Sequence, residues 1–222
     1  MLTHLDFSRD ASELAEFLLG KVLRVKYRRS WLSAQIIEAE AYYRHEKASH
    51  SSLGFTEKRR AMFMPAGTIY MYYSRGGDSL NISSDGSGDA VLIKSAVPYV
   101  DKQSPASSIK VMQALNPDRS GQARDVQRLC RGQTLLCRAL NLKVSVWDQQ
   151  QFSANKFYIE DVGIRPARII KTPRLGIPDG RDGHLLLRFI DFDHAADCTR
   201  NPLRMRKLIA GRDYVIVANK LI

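Results

Sequence analysis

Leu32-Ser33-Ala34-Gln35-Ile36-Ile37-Glu38-Ala39-Glu40-Ala41-Tyr42 reads as one long strand. A period of two puts Glu38, Glu40 and Tyr42 on one face of it and Ile37, Ala39 and Ala41 on the other. The small apolar face can pack inward. The acidic face is the anomaly: two carboxylates about 7 Å apart by the strand rise repel when both are ionised, unless cations or burial intervene. A solvated face paired with Lys or Arg is the ordinary explanation of such a pattern, so a functional one needs partners elsewhere in the chain.

Working outward, Asp10 to Leu19 carries Leu14, Phe17, Leu18 and Leu19 at helical spacing, with Ser8 or Asp10 as cap and Gly20 as stop. Val22 to Tyr27 is a strand that turns through Arg28-Arg29-Ser30 into the long one. Gly67 to Ser74 and Ser79 to Ser84 form a hairpin, with Arg75-Gly76-Gly77-Asp78 between them and the Gly-Gly pair as the turn signal. Ile109 to Leu115, begun by Ser107 or Ser108, and Gln133 to Leu140, after Gly132, read as helices, and Asn116 to Arg124 as an exposed loop. Phe157 to Val162, Ala167 to Ile170 and Leu185 to Phe192 read as strands. No repeat or linker interrupts 1–222. The expectation is a single α+β domain with mostly adjacent, hence antiparallel, strands.

With 222 residues and 44% hydrophobic composition, one substantial core can form. The formal charge of +11 makes nucleic acid the leading partner, ahead of an anionic membrane surface. Cys130, Cys137 and Cys198 have neither C-x-x-C spacing nor a neighbouring His pair, which points to buried free thiols and away from a zinc site or a disulfide framework. No apolar run approaches a membrane span and the first nine residues have no signal-peptide pattern, so a soluble, cytoplasmic protein is expected.

Around the strand gathers a particular inventory. His50 follows Glu40 by ten residues in a polar loop able to fold back over the strand. Tyr70 and Tyr72 share a face of the hairpin, and Asn81 lies on its return strand. A carboxylate to direct water, aromatic rings to stack on a base and polar groups to read its edge are what excision of a flipped nucleobase requires. Each residue also has an ordinary explanation: a surface histidine, an Asn capping its own backbone, and, preferred for Tyr70, an aromatic supporting Tyr72.

Glu38-Ala39-Glu40-Ala41-Tyr42, His50-Ser51, Met62 to Tyr72 and Asn81-Ile82-Ser83-Ser84, in this order and near this spacing, resemble the successive signatures of the alkyladenine (3-methyladenine, methylpurine) DNA glycosylases. Phe17 to Leu23, Val91 to Lys94, Leu136 to Leu140, Pro173 to Ile177 and Leu187 to Phe189 also fit. The resemblance is strongest over 8–98 and weaker over 129–192. It implies a curved antiparallel sheet surrounded by helices, with a protruding β-hairpin that contacts DNA. It also implies a monofunctional enzyme of base excision repair, without metal or cofactor, in which Glu40 activates water for hydrolysis of the N-glycosidic bond. The substrates would be 3-methyladenine, 7-methylpurines, hypoxanthine or ethenoadenine. Tyr42 and Tyr72 would sandwich the flipped base, His50 would line the pocket, and Asn81 would exclude guanine's amino group. A cationic alkylated purine gains about 0.5–2 kcal/mol from stacking on electron-rich rings.

Lys58, Arg59, Arg60 and Lys94 would contact DNA phosphates, Lys94 as a point charge where the family often has Arg. The hairpin tip departs: it is one residue shorter, and Arg75 stands nearest the place of the tyrosine that fills the gap left by the flipped nucleotide. Arg59 stands where Asn is common, and Leu135 follows Gly132-Gln133-Thr134 where a Pro and a Lys are usual. Damaged duplex DNA is the expected partner of a monomer, with single-stranded DNA as an alternative. The basic tail over 199–222, with Arg200, Arg204, Arg206, Lys207 and Arg212, would either hold DNA or form a solvated helix. Two other readings compete: a catalytically weak nucleic-acid-binding module of the same fold, and a sugar hydrolase using Glu38 and Glu40 as acid and base.

Overall fold

A computed structural model describes residues 1–74 and 76–219. The chain opens with α1 (His4–Phe7) and α2 (Ala11–Leu18). The Asp10 carboxylate caps α2 by accepting from the backbone N–H groups of Ser12 and Glu13, while Leu14, Ala15 and Leu18 bury its inward stripe. The helix gives way at Gly20, where φ is 84° and a Cβ would lie 2.5 Å from the Ile164 carbonyl oxygen, so only glycine fits.

There follow β1 (Val22–Tyr27), β2 (Ser30–Tyr42), β3 (Ile69–Ser74), β4 (Gly77–Ser83), β5 (Ala90–Pro98), α3 (Ser107–Leu115), α4 (Gln133–Ala139) and α5 (Val144–Trp147). β6 (Phe157–Glu160), β7 (Arg168–Thr172), β8 (Arg188–Asp191) and β9 (Val215–Ala218) complete the order. The strands form one sheet, β3-β4-β5-β2-β8-β7-β9, with β1 paired to both β2 and β6. Every pairing is antiparallel. The helices are few and short: α2 and α3 pack on β2 and α4 on β4, so the sheet is open rather than surrounded.

β2 holds the sheet together. Its first half pairs with β1, Glu38–Glu40 pair with β8, and β5 runs along it from Ala34 to Tyr42. Strict alternation fails at its centre. In the register with β5, Ile36 faces Ala96, Glu38 faces Ser95 and Ala39 faces Ile93, leaving Ile37 and Lys94 as extra residues on the two strands. These bulges switch the parity of both strands. The main core takes Leu32, Ala34 and Ile36 from β2, then Ala39 and Ala41, and from β5 it takes Val91 and Ile93, then Ala96. Ile36, rather than Ile37, therefore joins Ala39 and Ala41, which corrects the period-two reading of that face.

The hairpin turn also differs from expectation. Ser74 pairs with Gly77, which places Gly77 and Asp78 in the return strand rather than in the turn. A Cβ on Gly77 would lie 2.3 Å from the Thr134 methyl, so this glycine serves close packing, and the turn uses Gly76 at φ 81°. Strand ends shift elsewhere: β8 begins at Arg188 rather than Leu185, and β6 ends at Glu160. Within the described part of the tail the helical structure is limited to the 3-10 turn Pro202–Arg204, and Val215–Ala218 joins the sheet beside β7. All three cysteines are buried and free, and burial pushes the Cys198 thiol up to about 12. Among the described residues no helix is long and apolar enough to cross a membrane.

Candidate active site

Side chains at alternate positions of neighbouring strands form the floor of a cavity of about 520 Å³. Tyr70, Tyr72 and Ser74 come from β3, Asn81 from β4, Ala90, Leu92 and Lys94 from β5, and Tyr42 from the end of β2. The period of two makes this possible, since residues i, i+2 and i+4 rise on one side of the sheet. The walls are the segment around Ala48–His50, the Arg131–Leu135 entry to α4, the Leu175–Pro178 loop with Arg181, and Thr199.

Glu40 lies just beneath this floor with no exposed surface. Two floor residues reach it. The Tyr42 hydroxyl donates to Glu40 Oε2 at 2.7 Å, and Lys94 Nζ stands 3.4 Å from Oε1, an oxygen that accepts no hydrogen bond among the described residues. Burial and then the adjacent Glu40 charge hold the Tyr42 phenol well above its ordinary value, so it stays protonated as a donor. Arg174 covers the Tyr42 ring with its guanidinium carbon 4.5 Å from the centroid, and it is held there by the Ala41 carbonyl (2.7 Å) and by Glu46 (2.5 Å). Arg174 does not line the cavity, so it backs the ring and leaves the other face to the pocket.

His50 leans edge-on against Tyr72 at 4.6 Å, and its Nδ1 lies 2.9 Å from the Tyr70 hydroxyl. Burial, then Arg59 and Arg181, push the imidazole below its ordinary 6.5, so His50 is neutral at pH 7. Asn81 is fixed by donating Nδ2 to the Tyr70 carbonyl at 3.2 Å, across the β3–β4 pair. The Tyr70 hydroxyl thus orients His50, while its main-chain carbonyl holds Asn81 and its ring lies 5.7 Å from that of Tyr72.

Glu38 has a different fate. Arg188 Nε donates to it at 2.6 Å, the Ser95 hydroxyl donates to it, and Thr199 binds through its backbone N–H at 3.1 Å and its hydroxyl at 2.7 Å. Burial raises this carboxyl, but Arg188 and the hydrogen bonds outweigh burial and leave it below its ordinary value. Saturated in this way and away from the cavity, Glu38 cannot serve as one arm of an acid–base pair with Glu40, which removes the sugar-hydrolase reading.

A family model described as methylpurine-DNA glycosylase (MPG) matches residues 5–195. The chain belongs to this family. It is 58% identical over 95% of its length, and 94% of the relative's, to a Pseudomonas syringae pv. tomato protein named "Putative 3-methyladenine DNA glycosylase". A protein of the same name from Pseudomonas aeruginosa strain PAO1 is 55% identical over 96% of this chain and 89% of its own. One from the archaeon Methanocella arvoryzae is 29% identical over 88% and 94%.

In this methylpurine-DNA glycosylase family member the structure assembles Glu40, Tyr42, His50, Tyr72, Asn81 and Lys94. It leaves Lys58, Arg59 and Arg60 outside the cavity lining, on the 3-10 turn Glu57–Phe63, where Arg60 pairs with Glu57 at 3.7 Å and Arg59 donates to the Gly54 carbonyl at 3.3 Å. Arg75 lies outside the described residues. Not found from sequence were the roles of Arg174, Arg181, Arg188 and Thr199. Their partners lie more than a hundred residues away, and no periodicity links them; Arg174 and Arg188 stood inside matched motifs, Arg181 and Thr199 did not. Among the described residues no group of three or more His, Cys, Asp or Glu could hold a metal ion.

Proposed function

We propose that this chain is a monofunctional DNA glycosylase that flips alkylated purines, 3-methyladenine first among them, out of DNA and hydrolyses their N-glycosidic bonds. One observation carries this: a buried carboxylate lies directly under an aromatic floor, one oxygen engaged by a phenol and the other left without a hydrogen bond. Oε1 of Glu40 is the group that takes a proton from, or orients, the water attacking the anomeric carbon. Lys94 neutralises that carboxylate in the free protein, and its Nζ moves to a phosphate beside the flipped nucleotide when DNA binds, freeing Oε1 for water. Tyr42 and Tyr72 stack on the base, which favours a cationic methylpurine over a neutral one. His50, neutral and oriented by Tyr70, meets the base edge. Asn81, held rigid by its bond to the Tyr70 carbonyl, disfavours an extra exocyclic amino group, which counts against neutral guanine, whereas in a cationic 7-methylguanine the stacking gain offsets that cost. 7-Methylpurines, hypoxanthine and ethenoadenine are the further substrates this pocket chemistry admits.

The test is to incubate the purified protein, without added metal, with duplex and single-stranded oligonucleotides carrying each lesion, and to detect free base and abasic product. Release of 3-methyladenine with no strand cleavage supports the proposal. Salt-dependent binding with no base released from any lesion would instead make the chain a binding module of the same fold.

A further inference from the structure

Beside the base cavity lies a second cavity of about 380 Å³, lined by Arg124, Arg128, Arg131, Leu135 and Thr199. Three of these five, Arg131, Leu135 and Thr199, line the base cavity as well, so the two are continuous. Three guanidinium groups converging on one hollow repel one another, and none is within ion-pair distance of a carboxylate among the described residues.

The hollow is also braced. Arg131 Nε donates to the Cys198 carbonyl at 2.7 Å, and the next residue, Thr199, is tied to buried Glu38. Arg124 donates to the carbonyls of Asn116 at 3.2 Å and Pro117 at 2.6 Å. Asn116, itself buried, spans to the carbonyls of Leu129 at 2.8 Å and Leu135 at 3.1 Å. Arg128 is exposed, and among the described residues its guanidinium makes no hydrogen bond or ion pair, while its backbone N–H donates to the Asp125 carbonyl at 3.0 Å.

From this geometry we infer that Arg124, Arg128 and Arg131 form a seat for a phosphodiester of the damaged strand, next to the nucleotide whose base enters the cavity. Guanidinium forks match phosphate oxygens, and a braced, carboxylate-free cluster carries its positive potential ready for them. The inference rests on the DNA-glycosylase reading for its ligand, and it assigns to DNA three arginines that the base cavity's chemistry does not use.

The decisive measurement is the dissociation constant for a duplex containing a tetrahydrofuran abasic analogue, taken from 50 to 250 mM KCl. Arg128→Gln should flatten the plot of log Kd against log salt by about one unit of slope and weaken binding about fivefold at 100 mM. Arg124→Gln/Arg128→Gln should remove about two units. Arg29→Gln, in the β1–β2 turn at the far end of β2, should change neither. An unchanged slope for Arg128→Gln, or an equal loss for Arg29→Gln, overturns the seat, as does failure of the unaltered protein to bind this duplex. The two readings fail separately. A protein that binds through Arg128 but releases no methylated purine keeps the seat and loses the enzyme, whereas one that releases base with a slope indifferent to Arg128 does the opposite.

Discussion

Glu38 and Glu40 are two residues apart, carry the same side chain and are both fully buried, yet their surroundings separate them completely. Four donors saturate Glu38, while Glu40 has one strong donor and one lysine at a looser distance. Strand periodicity by itself shows two equivalent carboxylates; the partners that saturate Glu38 come from 57 to 161 residues away. The Tyr42 phenol is the donor that fixes Glu40, so Tyr42→Phe keeps the stacking ring and removes a charge-assisted bond of about 1.5 kcal/mol. Single-turnover base release should slow about tenfold, with binding to abasic-analogue DNA within about twofold of the unaltered protein. An unchanged rate would show that the phenol has no part in the chemistry.

At the scale of elements, the paired bulges at Ile37 and Lys94 do most to position the site. They let an apolar run stay in the core on both sides of the β2 midpoint while Glu38, Glu40 and Lys94 keep to the other side. Sequence patterning located α2, β1, the β3–β4 hairpin, α3 and α4 closely, because each has a local period or a turn signal. It could not locate the bulges, because a bulge is a mismatch between two strands and neither strand shows it alone. The same limit hid the route by which Glu38 fastens the chain after β8: Arg188 and Thr199 meet it from 150 and 161 residues away. Glu38→Gln leaves Arg188, only 1% exposed, without its counter-charge, and should cost about 3–5 kcal/mol in denaturant unfolding. Since the folded carboxyl sits below its ordinary 4.5, its contribution is complete above that pH and fades as acid protonates it in the fold. The gap between the two proteins should therefore shrink well below pH 4.5. A loss under 1 kcal/mol at pH 7 would contradict the structural role.

Across the whole molecule, the excess of basic residues is unevenly used. Lys21 is a cost: its ammonium is fully buried, 4.4 Å from the Phe17 ring centre and 3.6 Å from Asp161, without a hydrogen bond. Burial pushes it down to about 8 despite Asp161. Between about 8 and its ordinary 10.5 the unfolded chain binds the extra proton, so stability rises with pH across that window, and below it the full penalty stands. Lys21→Met should therefore stabilise the fold by about 1–3 kcal/mol at pH 7, an advantage that dwindles from pH 8 to 10.5; Asp161 keeps its two bonds to Arg165. Destabilisation at pH 7 would show instead that the Lys21 ion pair contributes net stability. Other basic groups, Lys94 and the arginines lining the cavities, flank the proposed base site, and their proposed purpose depends on Glu40. The most direct test is single-turnover release of 3-methyladenine from methylated DNA by Glu40→Gln, with binding to an abasic-analogue duplex measured in parallel. Release should fall by at least about a thousandfold, roughly 4 kcal/mol of barrier, while binding persists. A Glu40→Gln protein that still releases the base at the unaltered rate would contradict the account.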